Sequence, residues 1–209
     1  MRDQKPPTGD TDPGPAVGAA ATARPRYRTV DIVVPAVLGV AVGVIFWAWS
    51  LLWQVSGPLF AFFPPAQAVI YGMWLLPGVL GALVVRKPGA AVLTSTAAAF
   101  VSMVLGTPWG VEVALAGFVQ GLLPELVFAA GRYRRWSMAI SMLAGAAAGV
   151  APAVWDNVRY YFTWPLSFQL TYGVLVVISA AVIGGAGSRL LTSALARAGA
   201  LSAFPSARG

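Results

Sequence analysis

Along most of this chain apolar residues do not alternate with polar ones. They run in blocks near the 17 to 25 residues, roughly, that an α-helix needs to cross a hydrocarbon core of about 30 Å. Six blocks stand out, near 31–54, 67–85, 89–106, 110–131, 137–154 and 168–191, separated by Pro, Gly and charged residues. This pattern predicts an all-α integral membrane protein with six transmembrane helices in one domain, residues 29–197. The Pro-, Gly- and Thr-rich stretch 1–28 has no apolar period and reads as a disordered tail; 198–209 reads as a short polar one.

Small residues mark the faces on which the predicted helices meet. Ala36, Gly39 and Gly43 make a stripe in the first block. It lets another helix approach closely, either from this chain or from a partner protein. Pro77 is a candidate kink in the second block. The stretch 55–66 is an uncharged, apolar loop, an anchor at the membrane surface or a lid over a site. The third block is short and rich in Ala, Ser and Thr, as expected of a helix buried among others. In the fourth block Gly117, Gly121 and Glu125 follow at four-residue steps and share one stripe. Glu112, Ala116 and Gln120 form a second stripe. Glu112 and Glu125 are about 20 Å apart along such a helix, too far to grip one cationic centre. An ionised acid at the centre of a membrane helix costs about 2.5–3.5 kcal/mol on insertion scales, so Glu125 requires a partner or a purpose. Either it pairs with Lys87 or Arg132, or it shares a ligand cavity with Gln120.

Composition agrees and narrows the chemistry. Of 209 residues, 58% are hydrophobic and 10% charged, against about 25% charged in a soluble domain. There is neither cysteine nor histidine, which removes thiolate metal sites, the commonest general base and the commonest metal ligand. The two lysines, Lys5 and Lys87, lie outside any Gly-Lys-Ser/Thr phosphate loop. The chain reads as no enzyme, with no catalytic residue, no metal and no cofactor; an intramembrane hydrolase would need a Ser-Lys or paired-acid site that this pattern does not assemble. The net charge of +7 sits at the block ends. Arg24, Arg26, Arg28, Arg86, Lys87, Arg132, Arg134, Arg135, Arg189 and Arg197 share one side, and Arg159 alone falls opposite. That asymmetry predicts a cell-membrane protein with both termini in the cytoplasm.

The opposite ends of the blocks collect aromatic residues, among them Trp74, Trp109, Trp155 and Tyr160, with Glu112, Asp156 and Asn157 beside them. An interfacial aromatic belt explains part of this, but the basic ends carry no matching girdle. Aromatic faces with a carboxylate suit a flat cationic ligand, each contact contributing about 0.5–2 kcal/mol where water is excluded. Trp74, Trp109, Glu112, Gln120, Glu125, Trp155, Asp156, Asn157 and Tyr160 are therefore the candidate substrate-binding residues. Plainer roles exist for two of them: Asp156 as a loop pair with Arg159, and Glu112 as a negative charge at a helix N-terminus.

Several segments together resemble a known family. Tyr71-Gly72-Met73-Trp74, Arg86-Lys87-Pro88-Gly89-Ala90-Ala91, Leu105-Gly106, and Gln120-Gly121 followed by Glu125 resemble the YkoE family, the substrate-binding S components of energy-coupling factor (ECF) vitamin transporters. The resemblance runs from about residue 30 to 197. It implies the six-helix S-component bundle, a site open to the outside, and thiamin or its hydroxymethylpyrimidine precursor as ligand. It also implies partners: a transmembrane coupling subunit, which the Ala36, Gly39 and Gly43 stripe would meet, and two cytoplasmic ATPases that energise uptake. The competing expectation is a membrane structural or assembly protein whose polar groups only pair with one another.

Overall fold

A computed structural model of the chain describes residues 28–202 together with 204 and 206. Apart from Arg28, the expected tail 1–28 lies outside the described residues, as do Arg24 and Arg26. The chain enters through α1 (Thr29–Ser56), a 28-residue helix. A short 3₁₀ turn at Gly57–Phe60 and a second 3₁₀ stretch at Pro64–Leu75 then lead into α2 (Leu76–Val85). The remaining elements are α3 (Ala90–Val104), α4 (Glu112–Ala130), α5 (Met138–Arg159) and α6 (Leu166–Ser179). A π-helical stretch, Ala180–Gly187, joins α6 to α7 (Ser188–Arg197). Among the described residues, five continuous helical rods are long and apolar enough to cross a membrane, and the shorter apolar α3 makes the sixth.

All ten residues of α2 are buried, so the second rod is the post around which the others pack. Pro77 sits in the first turn of α2, a position that proline tolerates, where the 3₁₀ stretch gives way to the α-helix. α1 packs along α3, α3 along α4, α4 along α5, and α5 along α6 and the π stretch, while α7 returns to α2. The outward faces carry Ile32, Val37, Val44, Leu115, Phe118, Leu126, Leu170, Val174 and Val182, all exposed, as lipid contact requires.

The close approach predicted for α1 is made within the chain. A Cβ on Gly39 would lie 2.5 Å from the Ala97 Cβ, and one on Gly43 would lie 2.7 Å from the Ala98 carbonyl oxygen, both on α3. These two glycines are buried and therefore face no partner protein; of the stripe, only Ala36 keeps partial exposure. The segment after 197 also differs from the expected polar tail. Leu201 and Phe204 are buried, and the Ser206 hydroxyl donates to the Val84 carbonyl at 2.9 Å.

Candidate functional site

The two stripes on α4 separate two environments. Gly117 and Gly121 press against α3, where a Cβ on Gly121 would meet the Ala91 carbonyl oxygen at 2.9 Å. Glu125 continues this stripe and accepts from the Gly89 N–H at 2.8 Å, the Ala91 N–H at 2.9 Å and the Tyr133 hydroxyl at 2.6 Å. It caps α3 from the side, satisfying two of the N–H groups that the start of a helix leaves open. Backbone turns prepare that contact. Gly89 has φ +82° and Tyr133 φ +54°, the left-handed conformation in which glycine carries no Cβ penalty. Glu125 does not line the aromatic cavity described below. The lysine considered for it is engaged elsewhere: Lys87 forms an ion pair with Asp31.

The other stripe, Glu112, Ala116 and Gln120, lines a cavity of about 240 Å³ at the aromatic end of the bundle. That is smaller than the pockets of about 300–1,000 Å³ that hold drug-sized molecules. Trp74, Trp109, Trp155, Asp156 and Tyr160 line it as well. The structure thus brings seven of the nine candidate residues together and excludes Glu125 and Asn157. The Asn157 amide donates instead to the Ala153 and Gln169 carbonyls at 2.8 and 3.0 Å, tying α5 to the start of α6 outside the cavity.

Besides Phe46, four Trp and Tyr residues complete the walls: Trp53, Tyr71, Tyr161 and Tyr172. Trp53, Tyr71 and Trp74 form one cluster with ring centroids 5.0–5.7 Å apart, and Trp109 extends it from Trp74 at 6.2 Å. Most of these contacts are edge-to-face, the arrangement that the ring quadrupole favours. All four belong to the aromatic ends of the blocks. What singles them out is which side of each helix faces inward, and pattern alone does not give that.

Asp156 is the buried charge-bearing group of this cavity, 7% exposed. The Tyr172 hydroxyl donates to its carboxylate at 2.7 Å, and the Tyr71 hydroxyl lies beside it. The expected pair with Arg159 does not form. Arg159 reaches Glu112 at 3.5 Å, and the Tyr160 hydroxyl reaches the same carboxylate at 3.4 Å. These contacts are long and exposed, and they close one side of the mouth only loosely. Burial pushes the Tyr161 phenol up to about 12, with the Asp156 charge adding to the effect. Burial and then Glu112 also raise Tyr160. Both phenols stay protonated at neutral pH and remain hydrogen-bond donors. The site therefore offers aromatic faces, neutral donors and two carboxylates, the buried Asp156 and the exposed Glu112.

The chain's relatives bear on what such a cavity holds. Residues 30–151 match the family described as "ABC-type cobalt transport system, permease component". A curated relative, the "Putative HMP/thiamine permease protein YkoE" of Bacillus subtilis (strain 168), is 33% identical over 176 residues, covering 84% of this chain and 87% of the relative. A solved structure, "Crystal structure of an S-component of ECF transporter", superposes with a TM-score of 0.82 at 31% identity, covering 88% of this chain and 92% of that one.

Proposed function

Because the chain belongs to the YkoE family of ECF-transporter S components, multi-pass substrate-binding membrane subunits and not enzymes, we propose that its cavity binds thiamin or the hydroxymethylpyrimidine moiety of thiamin. The observation that carries the reading is Asp156, a buried carboxylate in a cavity walled by Trp53, Tyr71, Trp74 and Trp109. Isolated, such a charge would be expensive to bury. Here tyrosine hydroxyls supply part of its solvation, and a cationic ring supplies the rest. The aromatic faces stack on the flat parts of the ligand, and Asp156 balances its charge.

The cobalt of the family description fits this chain less well. The sequence contains no His or Cys, and no three Asp or Glu side chains gather among the described residues. A transition-metal ion draws its affinity from such nitrogen and sulfur donors. An organic cation needs only the carboxylate and the rings.

In this reading the cavity opens to the cell exterior and both termini lie in the cytoplasm, because the basic residues gather at the end opposite the aromatic cluster. The domain runs over 29–197, and Leu201, Phe204 and Ser206 pack back onto it. A transmembrane coupling subunit and two cytoplasmic ATPases complete the transporter, since this chain carries no phosphate loop of its own. The coupling subunit meets a surface other than Gly39 and Gly43. The test is titration of purified protein with thiamin, followed by quenching of the cavity tryptophans. Saturable quenching at submicromolar concentration is expected. No response to thiamin, its phosphates or the free pyrimidine would overturn the ligand assignment.

A further inference from the structure

We propose that Ser179, which does not line the cavity, is a positioning residue for the binding site: its hydroxyl holds the stretch Pro64–Leu75 in 3₁₀ form, so that Tyr71 and Trp74 present one continuous aromatic wall. This rests on the cavity being the substrate site. Ser179 is the last residue of α6, at the entry to the π stretch, and is 5% exposed. Its hydroxyl accepts from the Gly72 N–H at 2.9 Å and donates to the Val69 carbonyl at 2.7 Å. In a 3₁₀ helix the Gly72 N–H would bond directly to the Val69 carbonyl, three residues back. The serine oxygen is spliced into that bond. Gly72 makes room for it, because a Cβ there would collide with the Ser179 carbonyl.

The consequence for the site follows from helix geometry. Residues three apart eclipse one another at 3.0 residues per turn, so Tyr71 and Trp74 lie one above the other, with ring centroids 5.0 Å apart. At 3.6 residues per turn the same pair would be offset by about 60°, and the two rings would diverge around the helix axis instead of stacking along it. A twelve-residue 3₁₀ run is long for a conformation usually confined to 3–4 residues or so. It therefore depends on outside partners. The Trp49 indole supplies another, donating to the Ile70 carbonyl at 3.1 Å. Ser179 differs from such partners in bridging a donor and an acceptor of the stretch at once, between the two wall residues and the preceding turn.

The test compares Ser179→Ala with Ser188→Ala in the full-length purified protein. Ser188 is an equally buried interhelical hydroxyl, donating to the Leu76 carbonyl at 2.9 Å and also to that of Gly184, and it lies away from the cavity. Two readouts are taken: the near-ultraviolet circular dichroism of the ligand-free protein, which reports the mutual orientation of the clustered rings, and the dissociation constant for thiamin. Ser179→Ala is expected to alter the aromatic dichroism and to weaken thiamin binding about tenfold, while Ser188→Ala leaves both unchanged. If Ser179→Ala keeps the wild-type dichroism, or keeps the wild-type affinity in a protein that binds thiamin, the positioning role is overturned. Should wild-type protein ignore thiamin, the ligand assignment fails, and the dichroism comparison alone still decides whether Ser179 holds the wall.

Discussion

Replacing Glu125 with glutamine keeps the shape of the side chain and changes one oxygen into an NH₂ donor. Three donors converge on the carboxylate: two backbone N–H groups at the start of α3 and the Tyr133 hydroxyl. If the amide oxygen retains Gly89 and Tyr133, the amide nitrogen must face the Ala91 N–H, now 2.9 Å from a carboxylate oxygen. A buried donor left without an acceptor costs about 1–3 kcal/mol, and the remaining bonds lose their charge assistance. A total near 3 kcal/mol corresponds to a melting midpoint lower by about 6–12 °C for a protein of this length. Glu125→Ala orphans all three donors and should be more severe. The assay is thermal unfolding in detergent, with and without thiamin, beside a binding titration. The midpoint should fall in both conditions while the dissociation constant stays within about twofold, because Glu125 does not reach the cavity. A variant with wild-type stability and weakened binding would refute this reasoning and return Glu125 to the site.

Gly43→Leu should abolish monodisperse folded protein, because a Cβ there already lies 2.7 Å from a backbone oxygen of α3; a well-folded variant that fails only to associate with a coupling subunit would contradict that packing. Arg159→Ala should leave the melting midpoint nearly unchanged, since its pair with Glu112 is 3.5 Å long and exposed and such pairs contribute about 0–1 kcal/mol. The same variant should bind thiamin slightly more tightly at low salt, because no internal cation then competes for Glu112. Weaker binding measured by titration would show that Arg159 contacts the ligand.

The all-helical membrane architecture was legible because lipid leaves the chain few choices: every backbone group must pair internally, and the apolar blocks record where. Within it, the stripes on α4 told the most. Four-residue spacing separated Glu112, Ala116 and Gln120, which face the cavity, from Gly117, Gly121 and Glu125, which face α3. Spacing does not say which neighbour a stripe meets, however. The same ambiguity left the glycines of α1 open between this chain and a partner, and the contact with α3 resolves it. Glu125 and Asn157 were reasonable candidates by polarity, but most of their partners are backbone groups, which sequence does not display. The 3₁₀ and π stretches could not be read at all. The 3₁₀ stretch meets Ser179, more than 100 residues away in the chain, and no local propensity encodes that contact. Tyr71 and Tyr172 were visible as aromatics of the right end, but their approach to Asp156 is purely tertiary.

The central claim is that Asp156, within its aromatic cavity, recognises a cationic ring. Calorimetric titration of wild-type protein and Asp156→Asn with thiamin tests it most directly. The asparagine can still accept from the Tyr172 hydroxyl, so the fold should hold while the charge disappears. Submicromolar binding by the wild type, weakened at least tenfold, about 1.4 kcal/mol, in Asp156→Asn, is the predicted result. Equal affinity in the two proteins, or no binding by the wild type, would contradict the account.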